Sequence, residues 1–196
     1  MRKIILIIGD DKMGRRAIAN LSKAFPNIMI YRNRSGNPAR IAKLIKNKSL
    51  PLPSLLYMVL AEIYRPNLEV PDYPLLCTNQ EVRDMLVHEK PDEVICFRAG
   101  LVLTEKTLAC EPTFLNLHCA DLPKWGGLGT IYKALKAGAY NQNACLHEMV
   151  GKIDAGQIYY RQPYKLDPFI SYKANEDRSI ESGIILLKNY LSEVLS

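Results

Sequence analysis

Short apolar runs and amphipathic stretches alternate along the chain. Runs with the length and β-branched content of buried strands lie at residues 3–9, 27–31, 92–97, 113–118, 144–150 and 157–164. Apolar side chains at helical spacing predict helices at residues 14–25, 38–45, 53–65, 80–89, 104–110, 130–137 and 179–195. Strands that alternate with helices favour an α/β fold, here an open, mostly parallel twisted sheet with helices on both faces. At 196 residues the chain is expected to form a single domain, 1–196.

Local signals support several of these elements. Asp10 or Asp11 is expected to cap helix 14–25, and Asn79 to cap helix 80–89. The proline-interrupted stretch 66–74 predicts a loop. The amphipathic C-terminal helix is expected to pack on its own sheet, and a second copy in a homodimer is the alternative.

Charge is distributed unevenly along the sequence. Residues 1–50 hold 12 Lys or Arg and two Asp, a net charge of +10, whereas the remaining residues have a net charge of −4. A basic N-terminal quarter indicates an anionic partner, either nucleic acid or a phosphorylated small molecule. A solvated basic face without a ligand is the alternative.

Composition excludes several classes of protein. With 48% apolar and 23% charged residues, the chain is neither disordered, collagen-like nor a coiled coil. The longest apolar run, Leu55–Ala61, is far shorter than the roughly 20 residues of a membrane span. The N-terminal apolar run is too short for a signal peptide. We therefore expect a soluble, cytoplasmic protein with no membrane partner.

The cysteines give no sign of a disulfide framework or a zinc site. There are five, an odd number, and no Cys-x-x-Cys spacing occurs. Cys77, Cys96 and Cys145 lie in apolar, strand-like runs, where they are expected to act as small hydrophobic residues.

Two polar side chains stand at the end of the predicted strand 113–118. Asn116 and His118 are two positions apart, so they project from the same face of the strand. In open α/β sheets, ligands bind beyond the carboxyl ends of the strands. An imidazole there can move protons, and an amide can donate to a developing oxyanion. Asp154, in a tight turn, is expected to orient His118 and raise its pKa, although a plain loop role for all three is the alternative.

These residues form part of a longer pattern. Leu122, Pro123, Trp125 and Gly127 follow His118 at offsets of 4, 5, 7 and 9, and Asp154 follows it by 36 in an Asp-Ala-Gly turn. With Asn-Leu-His at 116–118, this pattern resembles the folate-dependent formyltransferase family. That family includes glycinamide ribonucleotide formyltransferase, the catalytic domain of methionyl-tRNA formyltransferase and sugar N-formyltransferases. The resemblance implies a Rossmann-like formyltransferase fold.

The resemblance also implies a reaction. The donor would be 10-formyltetrahydrofolate, whose formyl carbon is attacked by the primary amine of a small acceptor, and no metal is expected. The catalytic residues would be Asn116, His118 and Asp154. Asn116 and protonated His118 would stabilise the oxyanion, while Asp154 holds His118 and helps to move protons.

Binding residues follow from the same resemblance. The residues expected to contact the folate are Gly100, Leu101, Val102, Leu103, Met149, Val150, Gly151 and Lys152. The residues expected to contact the acceptor are Asp11, Lys12, Met13, Arg15, Arg16, Trp125 and Gly127. Basic side chains near a helix start favour a phosphate, so the acceptor is expected to be phosphorylated. His147 resembles a residue of sugar N-formyltransferases, but it is otherwise an ordinary strand residue.

The identity of the acceptor is the weakest part of the resemblance. Cys119, Ala120 and Gly126 depart from the family pattern near the acceptor. The loop after the first strand favours an amino-sugar nucleotide, and glycinamide ribonucleotide is the alternative. A 10-formyltetrahydrofolate hydrolase and a non-catalytic folate- or nucleotide-binding module also remain. A whole tRNA or other nucleic acid is not expected, because the tRNA enzymes carry a further C-terminal domain and this chain ends at Ser196.

Overall fold

The described strands form one sheet in a computed structural model of the chain, which describes residues 2–34, 46 and 51–196. The strands are β1 (Ile4–Gly9), β2 (Met29–Asn33), β3 (Leu75–Leu76), β4 (Glu93–Phe97), β5 (Thr113–His118), β6 (Asn141–Glu148) and β7 (Ile158–Lys165). Their spatial order is β3-β2-β1-β4-β5-β6-β7. The strands β1 to β5 pair in parallel, whereas β6 and β7 pair antiparallel. The mostly parallel sheet predicted from the sequence is confirmed.

Helices cover both faces of this sheet. They are α1 (Lys12–Ala24), α2 (Leu52–Tyr64), α3 (Asn79–Glu89), α4 (Glu105–Leu108), α5 (Thr130–Lys136) and α6 (Tyr172–Leu195). In β1, Leu6 and Ile8 join an apolar cluster with α1 and α6, whereas Ile5 and Ile7 join a second cluster with α3. A strand buried on both faces reads as a continuous apolar run, which explains the sequence of β1.

The C-terminal helix packs on its own sheet, as expected. Ile184, Leu187 and Leu191 of α6 are fully buried in the cluster that also contains Phe97 and Leu117 of the central strands. The helix begins at residue 172, seven residues before the predicted start at 179. Its first two turns lack an apolar stripe because buried polar side chains occupy the inward positions there.

Helix α3 and strand β3 also differ from prediction. The N-cap of α3 is Thr78 rather than Asn79, and Glu81 completes a capping box by accepting from the Thr78 backbone N–H. Strand β3 was not predicted because its two residues end the proline-interrupted stretch. Cys77 is exposed, so its interpretation as a buried hydrophobic residue is wrong, whereas Cys96 and Cys145 are buried.

Two further points bear on the sequence predictions. The basic helix predicted at residues 38–45 lies outside the described residues. A search of the helices in the described part of the chain finds none with the length and hydropathy needed to cross a membrane.

Candidate active site

A cavity of about 400 Å³ lies over the carboxyl ends of β4 and β5 and receives side chains from both faces of the sheet. On the α3 side an "apolar arm" is lined by Ala99, Gly100, Leu101, Val102, Leu103, Leu108, Met149, Val150, Gly151 and Ile153. On the α6 side a "polar arm" is formed by Asp11, Arg98, Cys119, Tyr172, Glu176 and Ser179, and Phe97, Leu117 and Ile180 of the adjacent apolar cluster line the cavity beside it. Between them lie Asn116, His118, Gly127, His147 and Asp154. The structure therefore brings the three predicted catalytic residues together.

The orientation of His118 is set by the loop that follows β5. Its Nε2 lies 2.8 Å from the carbonyl oxygen of Trp125, so Nε2–H donates to that carbonyl. The other ring nitrogen, Nδ1, lies 3.7 Å from Oδ2 of Asp154. That separation is too long for a hydrogen bond, so the contact is one of charge. Nδ1 is thus the nitrogen of His118 that can gain or lose a proton.

Asp154 is held as an anion. It occupies a left-handed backbone conformation with φ of 55°, and its Oδ2 accepts the backbone N–H of Gly127 at 2.7 Å. Burial opposes ionisation, but His147, the nearby His118 and the Gly127 N–H outweigh it and lower the pKa of Asp154 to about 2. The carboxylate is therefore ionised throughout the neutral range.

The protonation of His118 differs from the sequence expectation. Burial lowers the pKa of His118 below its usual value, and the opposing effect of Asp154 does not overcome it. Asp154 does raise this pKa, as expected, but desolvation is the larger effect and leaves the pKa below its usual value. At neutral pH the ring is predominantly neutral and can accept a proton at Nδ1.

His147 also belongs to the site, although the sequence analysis interpreted it as an ordinary strand residue. It is 1% exposed, and its Nε2 lies 3.1 Å from Nδ2 of Asn116 and 3.6 Å from Oδ1 of Asp154. Its Nδ1–H donates to the Glu148 carbonyl at 2.8 Å, which orients the ring. His147 lies opposite Asn116 in the β5–β6 ladder. The sequence could reveal this pairing only with the register of those strands.

The predicted folate-contacting residues lie mainly in the apolar arm. Seven of the eight line it, whereas Lys152 is exposed and does not line the cavity. The loop after β4 is fixed from below by Asn33, whose Oδ1 accepts the backbone N–H groups of Gly100 and Leu101. Asn33 is itself fully buried, and it also donates to the carbonyl of Leu76. The arm therefore has a rigid floor.

The predicted acceptor-contacting residues are more scattered. Asp11 and Gly127 line the cavity. Met13 is 1% exposed within the core, so its side chain is not available to a ligand. Trp125 packs its ring in a separate small cluster with Ile131 and contributes its carbonyl to His118.

The three predicted cations of the α1 region have partners in the protein. Lys12 Nζ donates to the carbonyls of Ile63 and Arg65. Arg15 lies 3.3 Å from Asp10, and Arg16 lies 2.6 Å from Glu181. The cavity is not lined by any of the three. Thus each of the three has a partner within the protein and none of them lines the cavity, and the phosphate site expected from the sequence stays a prediction.

An ion pair inside the polar arm was not predicted. Arg98 follows β4 in a left-handed conformation with φ of 56°, and its guanidinium lies 2.5 Å from Asp11 Oδ2. Burial opposes both charges, but the pairing outweighs it, so the pKa of Arg98 is raised and that of Asp11 is lowered. Glu176, also in this arm, accepts from Arg65 at 2.8 Å. Asp11 was expected at the acceptor, but no sequence motif marked Arg98 or Glu176, because only the fold brings β4 and α6 together.

Comparisons of sequence agree with the geometry. The formyl transferase family profile matches residues 31–188. Over 122 residues the chain is 29% identical to methionyl-tRNA formyltransferase of Thermotoga maritima, covering 62% of this chain and 39% of that protein. Over 184 residues it is 24% identical to the enzyme of the same name from Nitrosomonas europaea, covering 91% and 52%. The chain thus spans about two fifths of the length of the first of these relatives and about half of the length of the second.

Comparisons of structure show the same fold. Phosphoribosylglycinamide formyltransferase from Streptococcus pneumoniae superposes with a TM-score of 0.69 at 15% identity, with complete coverage of both chains. A sugar N-formyltransferase from Shewanella sp. superposes with a TM-score of 0.65 at 15% identity, covering 97% of this chain and 68% of that one. The Rossmann-like formyltransferase fold expected from the sequence is confirmed. Because the family profile also covers most of the sequence, the chain belongs to the formyltransferase family.

Proposed function

We propose that the protein transfers a formyl group from 10-formyltetrahydrofolate to the primary amine of a small acceptor, in the first place an amino-sugar nucleotide. One observation carries this proposal: Asn116, His118 and Asp154 meet at the end of β5, between an apolar and a polar arm of one cavity. Two chemically different substrates can therefore approach the same reactive point. We assign the catalytic domain to residues 1–196.

The apolar arm suits the donor. Val102, Val150 and Ile153 expose apolar surface along it, which matches the flat faces of a pterin ring. Residues 101–103 and 149–151 belong to the same lining, and their main-chain groups that are not bonded within the protein would supply polar contacts for the ring edge. The folate carries the formyl group, so the protein has to supply position and charge.

The catalytic residues divide the work of the transfer. As the amine bonds to the formyl carbon, His118 accepts the amine proton at Nδ1, and the Asp154 carboxylate stabilises the imidazolium that results. The Asn116 amide is held by its contact with His147 Nε2 at 3.1 Å, and an N–H of that amide would stabilise the formyl oxyanion. When the bond from the formyl carbon to the folate nitrogen breaks, His118 returns the proton to that nitrogen. Protons and bonds therefore balance without a further reactant.

The polar arm supports an acceptor rich in hydrogen-bonding groups. Its charged side chains are Asp11, Arg98 and Glu176, with the Tyr172 hydroxyl 3.4 Å from Glu176. An amino sugar presents hydroxyl groups beside its amine, which suits such a surface. All five cysteines are free thiols, which supports a reducing, cytoplasmic setting.

The test is release of tetrahydrofolate from 10-formyltetrahydrofolate with separate pools of amino-sugar nucleotides, glycinamide ribonucleotide and methionyl-tRNA. Controls are a reaction without amine and the His118→Ala variant. Release that requires the amino-sugar pool and is lost in the variant is the expected result. Release with another pool supports formyl transfer but overturns the proposal that the acceptor is an amino-sugar nucleotide. Release without amine indicates a hydrolase, and no release in any reaction indicates a binding module.

A further inference from the structure

We propose that the Arg98–Asp11 ion pair selects the acceptor by hydrogen bonding to hydroxyl groups beside the reacting amine. This inference rests on the proposed formyl transfer and assigns a specificity role to two residues of the polar arm. According to this inference, the hydroxyl groups of the acceptor bind in the polar arm, whereas any phosphate of the acceptor binds outside it.

The pair is positioned close to the reaction centre by the sheet. Phe97 of β4 lies opposite Leu117 of β5, so Arg98 and His118 are the next residues along these two neighbouring strands. On the other side of β4, Gly9 of β1 approaches so closely that a Cβ on it would lie 2.5 Å from the Arg98 carbonyl oxygen. Arg98 is thus fixed at the carboxyl end of β4, between the loop that carries Asp11 and the strand that carries His118.

The Arg98 guanidinium is oriented by Asp11, but not all of its N–H groups are hydrogen-bonded within the described residues. Its Nε lies 3.1 and 3.0 Å from the two Asp11 oxygens, and its Nη2 lies 2.5 Å from Oδ2. Asp11 is held in turn by the backbone N–H of Gly14 at 2.7 Å. Within the described residues, Nη1 has no hydrogen-bond acceptor, and Arg98 lines the cavity with 24% of its side chain exposed. Nη1 can therefore donate two N–H groups to a ligand.

The charges of the polar arm favour hydroxyl groups over phosphate. Arg98 is balanced by Asp11, and the second carboxylate, Glu176, faces the same arm with its partner Arg65 behind it. A phosphate dianion here would meet two carboxylates and only one exposed guanidinium. A neutral hydroxyl group can accept from Nη1 of Arg98 without bringing another negative charge beside Asp11 and Glu176. A phosphate of the acceptor would accordingly lie outside the polar arm.

The experiment compares two acceptors and two variants. The acceptors are a nucleoside-diphosphate-linked aminohexose and its analogue without the hydroxyl beside the amine. For the parent protein, removal of the hydroxyl is expected to lower kcat/KM by roughly ten- to hundredfold, the size of one hydrogen bond to a charged group. In Arg98→Met the two acceptors should react alike, while the donor KM is unchanged. Arg98→Lys keeps the charge without the planar fork and should restore part of the discrimination.

Controls separate this role from folding and from phosphate binding. Arg178→Met removes an arginine of α6 that pairs with Asp167 and does not line the cavity. This variant should leave kcat/KM for both acceptors unchanged. Inorganic phosphate should inhibit the parent protein and Arg98→Met equally. A stronger effect on the parent protein would show that Arg98 binds phosphate and would overturn the inference.

The same comparison can be made without turnover. Calorimetric titration of both acceptors into His118→Ala, with and without Arg98→Met, should show the same loss of discrimination. Discrimination that persists in Arg98→Met overturns the inference while leaving formyl transfer intact. Discrimination in binding by a protein that transfers no formyl group supports the inference and overturns the proposed function.

Discussion

His118 and Asp154 illustrate how burial and charge compete at a single residue. The same low-polarity surroundings that favour neutral His118 also oppose ionised Asp154, yet Asp154 keeps its charge because His147 and the Gly127 N–H stabilise it. The resting pair is therefore a neutral imidazole beside a carboxylate. Such a pair is prepared to accept a proton. The protonated His118 expected beside the oxyanion would then form during the reaction.

The protonation of His118 can be measured directly. Nuclear magnetic resonance titration of ¹⁵N-labelled protein should give His118 a pKa below 6.5. In Asp154→Asn the pKa should fall further, because the carboxylate stabilises the imidazolium. A His118 pKa above 6.5 in the unaltered protein would contradict the proposed direction of proton transfer.

His147 is expected to act as a positioning residue through Asn116. His147→Phe fills the same space without the hydrogen bond to the Asn116 amide, so kcat should fall by roughly fivefold, in line with one lost hydrogen bond of about 1 kcal/mol. His147→Gln should restore part of the activity because it offers an acceptor to the same amide. His88→Phe, on the exposed face of α3, is the matched control. An unchanged kcat in His147→Phe would remove His147 from the site.

At the scale of elements, close backbone contacts hold the polar arm in place. Gly9 ends β1 against the carbonyl of Arg98, where a side chain has no room. Gly9→Ala should therefore lower the free energy of unfolding by about 1–3 kcal/mol and displace Arg98. Gly126→Ala is the control, since its Cβ would meet Asp154 at an ordinary 3.4 Å. Equal stability of the two variants in urea denaturation would show that β1 and β4 adapt freely.

The elements also show what the sequence can and cannot predict. The strands β1 and β4 were predicted because continuous apolar runs mark strands buried on both faces. The start of α6 was missed because Asn175, Glu176 and Ser179 are buried polar residues and interrupt the apolar stripe. Those same turns form a wall of the cavity. The element that departs from simple patterning is thus the one that serves the site.

The site follows a similar division. Asn116, His118 and Asp154 were found because their spacing along the chain matches a family pattern. Arg98 and His147 were not, because their contacts depend on the registers of β4 and β6 with their neighbours. Lys12, Arg15 and Arg16 were expected to face a phosphate, yet each bonds to the protein itself. A sequence shows which residues are charged. Whether a charged side chain is free to bind a ligand depends on its partners in the folded protein.

At the scale of the whole molecule, the cavity lies over the carboxyl ends of the central strands and extends to both faces of the sheet. The apolar arm lies on the α3 face and the polar arm on the α6 face, with the catalytic residues at the carboxyl end of β5 between them. A fold with helices on both faces can thus bring two dissimilar substrates to one point. The arrangement predicts that donor and acceptor binding can be altered separately.

Ile153 tests this separation. It is 56% exposed in the apolar arm, so Ile153→Asp should raise the donor KM by roughly ten- to hundredfold through lost apolar burial and leave the acceptor KM unchanged. Ile185→Asp, on an exposed face of α6, is the matched control for the introduced charge. A rise in the acceptor KM alone would mean that the two arms have been assigned the wrong way round.

The most direct test of formyl transfer follows the carbon atom itself. The protein is incubated with 10-formyltetrahydrofolate labelled with ¹³C in the formyl group and with an amino-sugar nucleotide, and the acceptor is analysed by mass spectrometry. We predict a labelled formamide on the acceptor, formed at least about a hundredfold more slowly by His118→Ala, the loss typical of removing one catalytic polar group. Label found only in free formate, or equal rates for the protein and the variant, would contradict the assignment of the cavity as a formyltransferase active site.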